Sequence, residues 1–489
     1  MSRTKWMSNF AVTFIGLITL SASALAQSPA AQPLPPHDKL LREIYQELIE
    51  INTTDSVGDC TLASKAMAAR LKAGGYTDAE MQIIVPSGGP KKGNLLARLK
   101  GSGAKKPLML LAHIDVVEAK REDWVRDPFK LIEEGGYFYA RGSSDDKAMA
   151  AIHVSNMIRY KQEKLASSFL PARDIILALT CDEEHGDSKF NGVVHLIRNH
   201  RALIDAEIVL NEGGGGLMDK NGKPQYHSIQ AGEKIFQNFQ LEVTNVGGHS
   251  SIPTRDNAIH QLAEGIARLA KFAFPFKLSA TTRAYFERLA AMESKGKTPA
   301  IAADMRAILK DPPDHDALER LYTASPFYNA TVRTTCVATL VDAGHASNAL
   351  PQRARATVNC RILPGAVVGN AVADVQATLA RVVANPLINI TTMGNTTEAV
   401  APPLTPELMK AVESISADMW PGVPVIPTMA TGGTDGRFLN NVGIWTYGVS
   451  GIFTPPEGSN AHGLDEKLPV KSLYEGYEFL WRLGKRLGG

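Results

Sequence analysis

Apolar and polar positions follow two rhythms along this chain. Between His37 and about Gly232, short and nearly continuous apolar runs alternate with segments of helical period. HDKLLREIYQELIEI and TLASKAMAARLKAGGY have helical spacing, and the second ends at a glycine pair that suits a C-cap. NLLARLKG, KKPLMLLAHIDVV, DIILALT and AEIVLNEGGGG read as strands, with DDKAMAAIHVSNMIRYKQEK and NGVVHLIRNHRALI as helices between them. Strands that are apolar on both faces imply a sheet covered by helices on both sides. Near IFQNFQLEVTNVGGHSS the rhythm changes. QNFQLEVTNV alternates, NAIHQLAEGIARLAKFA is a long helix, and ATVRTTCVATLV and RATVNCRILP read as strands before the helix NAVADVQATLARVV. This is the pattern of a smaller α+β domain with a half-exposed sheet. From TPELMKAVESISADMW onward the α/β rhythm returns.

The expected architecture is therefore an α/β domain with a mixed sheet, built from residues 37–235 and 399–489 and interrupted by an α+β domain at 236–398. Residues 275–330, which contain Lys, Asp and Pro and are helical in places, read as an insertion within the smaller domain. The first 26 residues stand apart. Arg3 and Lys5 precede the apolar run AVTFIGLITL, and Ala24 and Ala26 close an A-x-A-like end before Gln27. That order predicts a signal peptide cleaved after Ala26, a linker at 27–36 and an exported, periplasmic or secreted protein. The run is short for a bilayer span of about 20 residues, so no membrane association is expected once the leader is removed.

Composition narrows the function. The chain has 489 residues and a formal net charge of +2. Its 44 % hydrophobic and 21 % charged residues form an ordinary globular mix. No basic run supports binding to nucleic acid. Cys60, Cys181, Cys336 and Cys360 form no Cys-x-x-Cys pair. Cys336 and Cys360 lie in strand-like segments and could pair, and four buried thiols fit the sequence equally well.

The chemistry-bearing residues gather at strand ends. LMLLAHIDVV puts His113 and Asp115 two apart at the end of a buried strand, on one side of it. A histidine ligand oriented by a carboxylate fits this pair, as does a core histidine satisfied by its neighbour. YARGSSDDKAMAA opens a helix with Asp145 and Asp146, where acids also serve simply as caps. TCDEEHGDSKF follows a buried strand with Asp182, Glu183 and Glu184, an acidic knot that otherwise reads as a solvated loop. AEIVLNEGGGG ends with Glu212 beside glycines that allow close backbone approach to a ligand. NAHGLDEKLPV carries His462, followed by Asp465 and Glu466. Each site is weak alone. Together, His113, Asp145, Glu184, Glu212 and His462 supply two histidines and three carboxylates, the donor set of a Zn2+ pair with one shared carboxylate. Two metals about 3.5–4 Å apart can activate a water and polarise a carbonyl. Glu183, beside a ligand but free, suits the base.

The series HIDVV, ARGSSDDK, TCDEEHGD, LNEGG, GGHSS and NAHGLDE resembles the co-catalytic zinc metallopeptidases. That family includes carboxypeptidase G, carboxypeptidase S, the aminoacylases and succinyl-diaminopimelate desuccinylase. The resemblance implies a zinc-peptidase catalytic domain with an inserted lid, spanning His37 to the C-terminus. It implies His113 as a ligand of one metal, Asp145 as the bridge, Glu184 as the next ligand, Glu212 as the carboxylate ligand of the other metal and His462 as the last ligand. Asp146 is implied to be a non-ligand, Asp115 the partner of His113 and Glu183 the general base. Asn211 stands where relatives often have Asp, and Ala148 replaces a Gly common after the Lys. In the lid, His249 resembles the histidine that helps stabilise an oxyanion, often in a partner subunit, so a homodimer through the lid is expected. Asn348, Arg361, Gly433 and Arg437 resemble positions that grip the substrate carboxylate. The implied activity is an exopeptidase of carboxypeptidase or dipeptidase type using two Zn2+, with Mn2+ or Co2+ able to occupy the same ligands. Asp182, Glu183 and Glu184 would all face that centre. An N-acyl-amino-acid amidohydrolase has the same metal constellation. A non-catalytic exported peptide-binding protein would be expected to lack a ligand or the base. A serine hydrolase is disfavoured because the G-x-S-x-G elbow is missing.

Overall fold

The structure is a computed structural model and describes residues 34–489 apart from 187, 295, 297, 366–368, 395 and 397. The expected leader at 1–26 and most of the linker at 27–36 lie outside the described residues. The first helix is Pro36–Glu50, with proline in its first turn, where the missing N–H costs nothing.

The larger domain is built on a ten-stranded mixed sheet. Its order runs Met81–Ile84, Asn94–Leu99, Ile175–Thr180, Leu108–His113, Ile208–Asn211, Trp445–Gly448, Pro224–Glu233, Gly215–Met218 and Phe453–Thr454, with Val425–Ala430 also paired to Pro224–Glu233. Leu108–His113 lies parallel to both Ile175–Thr180 and Ile208–Asn211, and Trp445–Gly448 continues in parallel beside the latter. Every residue of Leu108–His113 and Ile175–Thr180 is buried, as their unbroken apolar runs predict. The two-residue period divides them between faces. Leu108, Leu110 and Ala112 join the core with Leu41, Met67 and Leu480. Met109 and Leu111 join Val193, Leu196 and Leu439 on the other side. Each fully buried Leu contributes roughly 1.5–3 kcal/mol.

The smaller domain holds a four-stranded antiparallel sheet in the order Thr335–Ala343, Arg353–Ile362, Ile235–Thr244, Asn389–Met393. Ile235–Thr244 and Arg353–Ile362 alternate between buried and less buried positions. The helices Ala258–Ala270 and Ala371–Val383 cover the buried face through Leu262, Leu269, Val375 and Leu379. Cys336 and Cys360 sit directly opposite each other in this sheet and form a disulfide. Cys60 and Cys181 form a second, which the sequence did not indicate.

The described residues between 275 and 330 include the helices Ala280–Glu293, Pro299–Ala307 and His315–Ala324. They pack on the larger domain. Phe286, Leu289, Met305 and Leu321 share one cluster with Ile426 of its strand Val425–Ala430. Arg288 donates to Glu413 and to the Val425 carbonyl. ATVRTTCVATLV is not one strand: its first residues end the helix Pro326–Val332, because Val332 is drawn into the helical cluster, and the strand starts at Thr335. Among the described residues, no helix is long and apolar enough to cross a membrane.

Candidate active site

The carboxyl end of the parallel strands carries the cluster. His113 is the last residue of its strand, so Asp115 lies beyond it in the loop and not on a shared strand face. The His113 Nδ1–H donates to the Asp115 carbonyl at 3.0 Å, and the Asp115 carboxylate stands farther off, at 3.6 Å. That carboxylate accepts instead from the amides of Glu183, at 3.3 Å, and Glu184, at 3.1 Å. Asp115 therefore orients the ring through its backbone and the acidic loop through its side chain.

With Nδ1 donating, the His113 Nε2 lone pair faces Asp145 Oδ1 at 3.0 Å and Glu212 Oε2 at 3.9 Å. His462 Nε2 faces Asp145 Oδ2 at 3.2 Å and Glu184 Oε2 at 2.9 Å. Acceptor atoms held this close need a cation or a proton between them. His113, Asp145 and Glu212 form one group, and Asp145, Glu184 and His462 another, the ligand atoms of each lying within 4.8 Å of one another. Asp145 belongs to both and offers a different oxygen to each histidine. The donors suit a pair of divalent ions sharing one carboxylate, so the residues fit the group expected for them.

Charge is concentrated here. Burial pulls His113 down, but Asp115, Asp145 and Glu212 outweigh it and leave its pKa well raised. Asp145 and Glu184 raise His462 to about 10. Burial pushes Glu183 well up, with Asp435 adding to it, and pushes Glu212 up beside Glu183. Glu183 belongs to neither ligand group. Asp146 is buried and is the N-cap of Lys147–Leu165, outside both groups.

Asp182 does not join the cluster. Its φ of 65° turns the chain, and its buried carboxylate accepts from Lys92 Nζ at 2.6 Å and from the Ser188 hydroxyl. Of the acidic triplet, Glu184 joins one of the two groups that share Asp145 and Glu183 stands beside them, while Asp182 falls in a separate cluster with Asp55 and His185 next to Lys92. The glycines after Glu212 serve internal packing. A Cβ at Gly213, φ +85°, would meet the Gln230 side chain at 2.4 Å, and one at Gly214, φ +64°, the Gly448 carbonyl at 2.3 Å.

The expected substrate-binding residues fall into two places. Gly248–His249 pairs with Ala349–Leu350, and the Ser250 amide donates to the Asn348 carbonyl at 3.1 Å, so His249 and Asn348 share an exposed rim of the lid. Among the described residues, the His249 ring bonds only Ser251 in its own turn. Arg361, Gly433 and Arg437 meet elsewhere. Arg361 lies over the Phe236 ring and donates to the Thr431 carbonyl at 3.5 Å, and burial, then the Arg437 charge, lowers its pKa. A Cβ at Gly433 would stand 2.9 Å from Arg437 Nη1. Arg361 also lines a cavity of about 460 Å³ with Lys234, Phe327 and Thr335.

Two supports went unread in the sequence. The Asn191 amide donates to both the Asp182 carbonyl and Asp435 Oδ1, tying the acidic loop to TGGTDGRF. Glu466 is fully buried between the loops of Asp145 and His462. An acid four residues after His462, just before the short strand Lys467–Pro469, was the only signal for it.

Set beside known proteins, residues 109–486 match the model of Peptidase family M20/M25/M40, and the chain belongs to this family. It is a hydrolase of amide bonds. It is 29 % identical over 391 residues to the human N-fatty-acyl-amino acid synthase/hydrolase PM20D1, covering 77 % of this chain and 73 % of that one. It is 29 % identical over 390 residues to the probable carboxypeptidase S-like 2 of Dictyostelium discoideum, covering 78 % and 71 %. Its fold matches the M20 family metallo-carboxypeptidase Sso-CP2 of Sulfolobus solfataricus with a TM-score of 0.65 at 19 % identity, covering 93 % of this chain and all of that one.

Proposed function

We propose that this chain is a metal-dependent exopeptidase of carboxypeptidase or dipeptidase type, cleaving the amide next to a residue with a free carboxylate. One observation carries the reading: two ligand groups share Asp145, and Glu183 stands beside them as a member of neither. His113, Asp145 and Glu212 would hold one divalent ion, Zn2+ above all, and Asp145, Glu184 and His462 a second. Bound there, the metals supply an activated water and a Lewis acid for the scissile carbonyl. Glu183 takes the proton of the attacking water and returns it to the leaving amine, a role suited to a carboxylate whose pKa burial raises. The Asp115 carboxylate fixes the Glu183 and Glu184 amides and so the spacing of base and ligand. Arg361 and Arg437, with Gly433 beside them, would hold the substrate carboxylate, a task that suits guanidinium groups, while His249 and Asn348, on the separate rim of the lid, would serve the oxyanion and that carboxylate in a partner subunit's site.

Similarity to an N-fatty-acyl-amino acid synthase/hydrolase supports a second reading, hydrolysis of N-acyl amino acids at the same site. A panel of free dipeptides, N-blocked dipeptides and N-acyl amino acids separates the two. Release from peptides is expected, with kcat lowered about 100- to 10,000-fold in Glu183→Gln and metal content unchanged. Release from N-acyl amino acids alone would select the second reading, and no release from any would sink both.

The leader-like N-terminus and two disulfides support export, since such bonds persist in oxidising compartments. N-terminal sequencing of the protein from its producing cell should begin at Gln27. The lid's outer strand Thr335–Ala343, with Val337, Leu340 and Val341 exposed, supports a homodimer, checked by light scattering.

A further inference from the structure

Glu466 lies outside both ligand groups, yet among the described residues no carboxylate near them is better bonded. It is 0 % exposed. Its Oε1 accepts from the Ser144 amide at 2.7 Å, the Asp145 amide at 3.0 Å and the Ser144 hydroxyl at 3.1 Å. Its Oε2 accepts from Arg141 Nη1 at 2.8 Å and the Gly142 amide at 3.0 Å. The chain around it is pinned to the same loop. Arg141 Nη2 donates to the Gly463 carbonyl, the Ala140 amide donates to the Glu466 carbonyl, and Lys467–Pro469 pairs with Tyr137–Tyr139. Gly463 directly follows His462. One carboxylate thus grips the backbone of Asp145 and sits four residues from His462, although the two loops are over 300 residues apart.

We propose that Glu466 is a positioning residue for the metal pair. It sets the separation of Asp145 and His462, and so holds the site between Asp145, Glu184 and His462 at metal-binding distance. The inference rests on reading those residues as ligands. It assigns Glu466 no contact with substrate or metal. All five of its partners are donors, so a carboxylate is required: an amide at this position would turn an NH2 group towards N–H groups on one side or the other.

The test is zinc binding by the full chain, measured by competition with a chromophoric chelator, with stoichiometry from elemental analysis and the Co2+ absorption spectrum as a second readout. In Glu466→Gln, zinc affinity should fall about 10- to 100-fold, as for other groups that orient ligands, and the Co2+ bands should change. Arg173→Lys, which disturbs a buried ion pair to Glu207 and Glu407 at the other end of the strand Ile175–Thr180, should lower the melting temperature and keep the parent's affinity. If Glu466→Gln does not fold, Glu466→Asp keeps the charge but cannot span both sets of donors, and it should show the same loss. Parental affinity and spectrum in a folded Glu466 variant, with only the melting temperature lowered, would overturn the proposal. An equal loss of affinity in Arg173→Lys would also count against it. A parent chain that takes up no zinc would instead overturn the metal reading beneath it.

Discussion

Asp182, Glu183 and Glu184 are neighbours of one chemical type with different tasks. A sequence shows three equal carboxylates. The backbone separates them: the positive φ at Asp182 sends its side chain back to Lys92, while Glu184 reaches His462 and Asp115 holds the Glu183 amide. Asp and Asn tolerate that region better than most residues. Removing Asp182 leaves Lys92, whose side chain is 16 % exposed, with Asp55 as its remaining carboxylate, and takes the acceptor from the Ser188 hydroxyl. Asp182→Ala should therefore cost about 1.5–3 kcal/mol in denaturant unfolding while the protein still binds its full complement of zinc. A zinc deficit as large as that of Glu184→Ala would return Asp182 to the metal centre. The five residues grouped by the fold were readable because each is a metal-binding type at or near a strand end. Glu466 was not, since what marks it is a set of backbone donors 321 to 324 residues away.

At the scale of elements, the central strands were readable because burial on both faces leaves an unbroken apolar run. The insertion was harder. Its helices are individually unremarkable in pattern, and their seat on Val425–Ala430 depends on a contact between residues more than a hundred positions apart. That seat is testable. Phe286 is fully buried there, and Phe286→Ala should cost about 3–5 kcal/mol through lost burial and a residual cavity. A change in the denaturation midpoint within the range of ordinary surface substitutions would mean that the helices detach without consequence. The disulfide Cys60–Cys181 was also hidden, because it joins the first residue of the helix Cys60–Ala73 to the residue after Ile175–Thr180, 121 positions away.

For the whole molecule, acid sensitivity follows from buried histidines. His227 stands among Trp420, Phe453 and Phe479, and His153 is enclosed in its helix; burial lowers each to about 3. In the unfolded chain each binds a proton near 6.5. The folded state therefore holds its full margin above that value and loses it as pH falls towards 3, by up to about 1.4 kcal/mol per pH unit for each ring. His227→Phe should flatten its share of that slope between neutral pH and about pH 4, read from guanidinium midpoints. An undiminished slope would place the acid sensitivity elsewhere.

The order of strands has a consequence for biosynthesis. Trp445–Gly448 fills a central position, between Ile208–Asn211 and Pro224–Glu233, and His462 arrives later still. A ribosome that has made the first four hundred residues has made every other candidate ligand but not the middle of the sheet that aligns them. The growing chain therefore holds no assembled centre, and a hydrolase of amide bonds comes into being only when its own synthesis is nearly over.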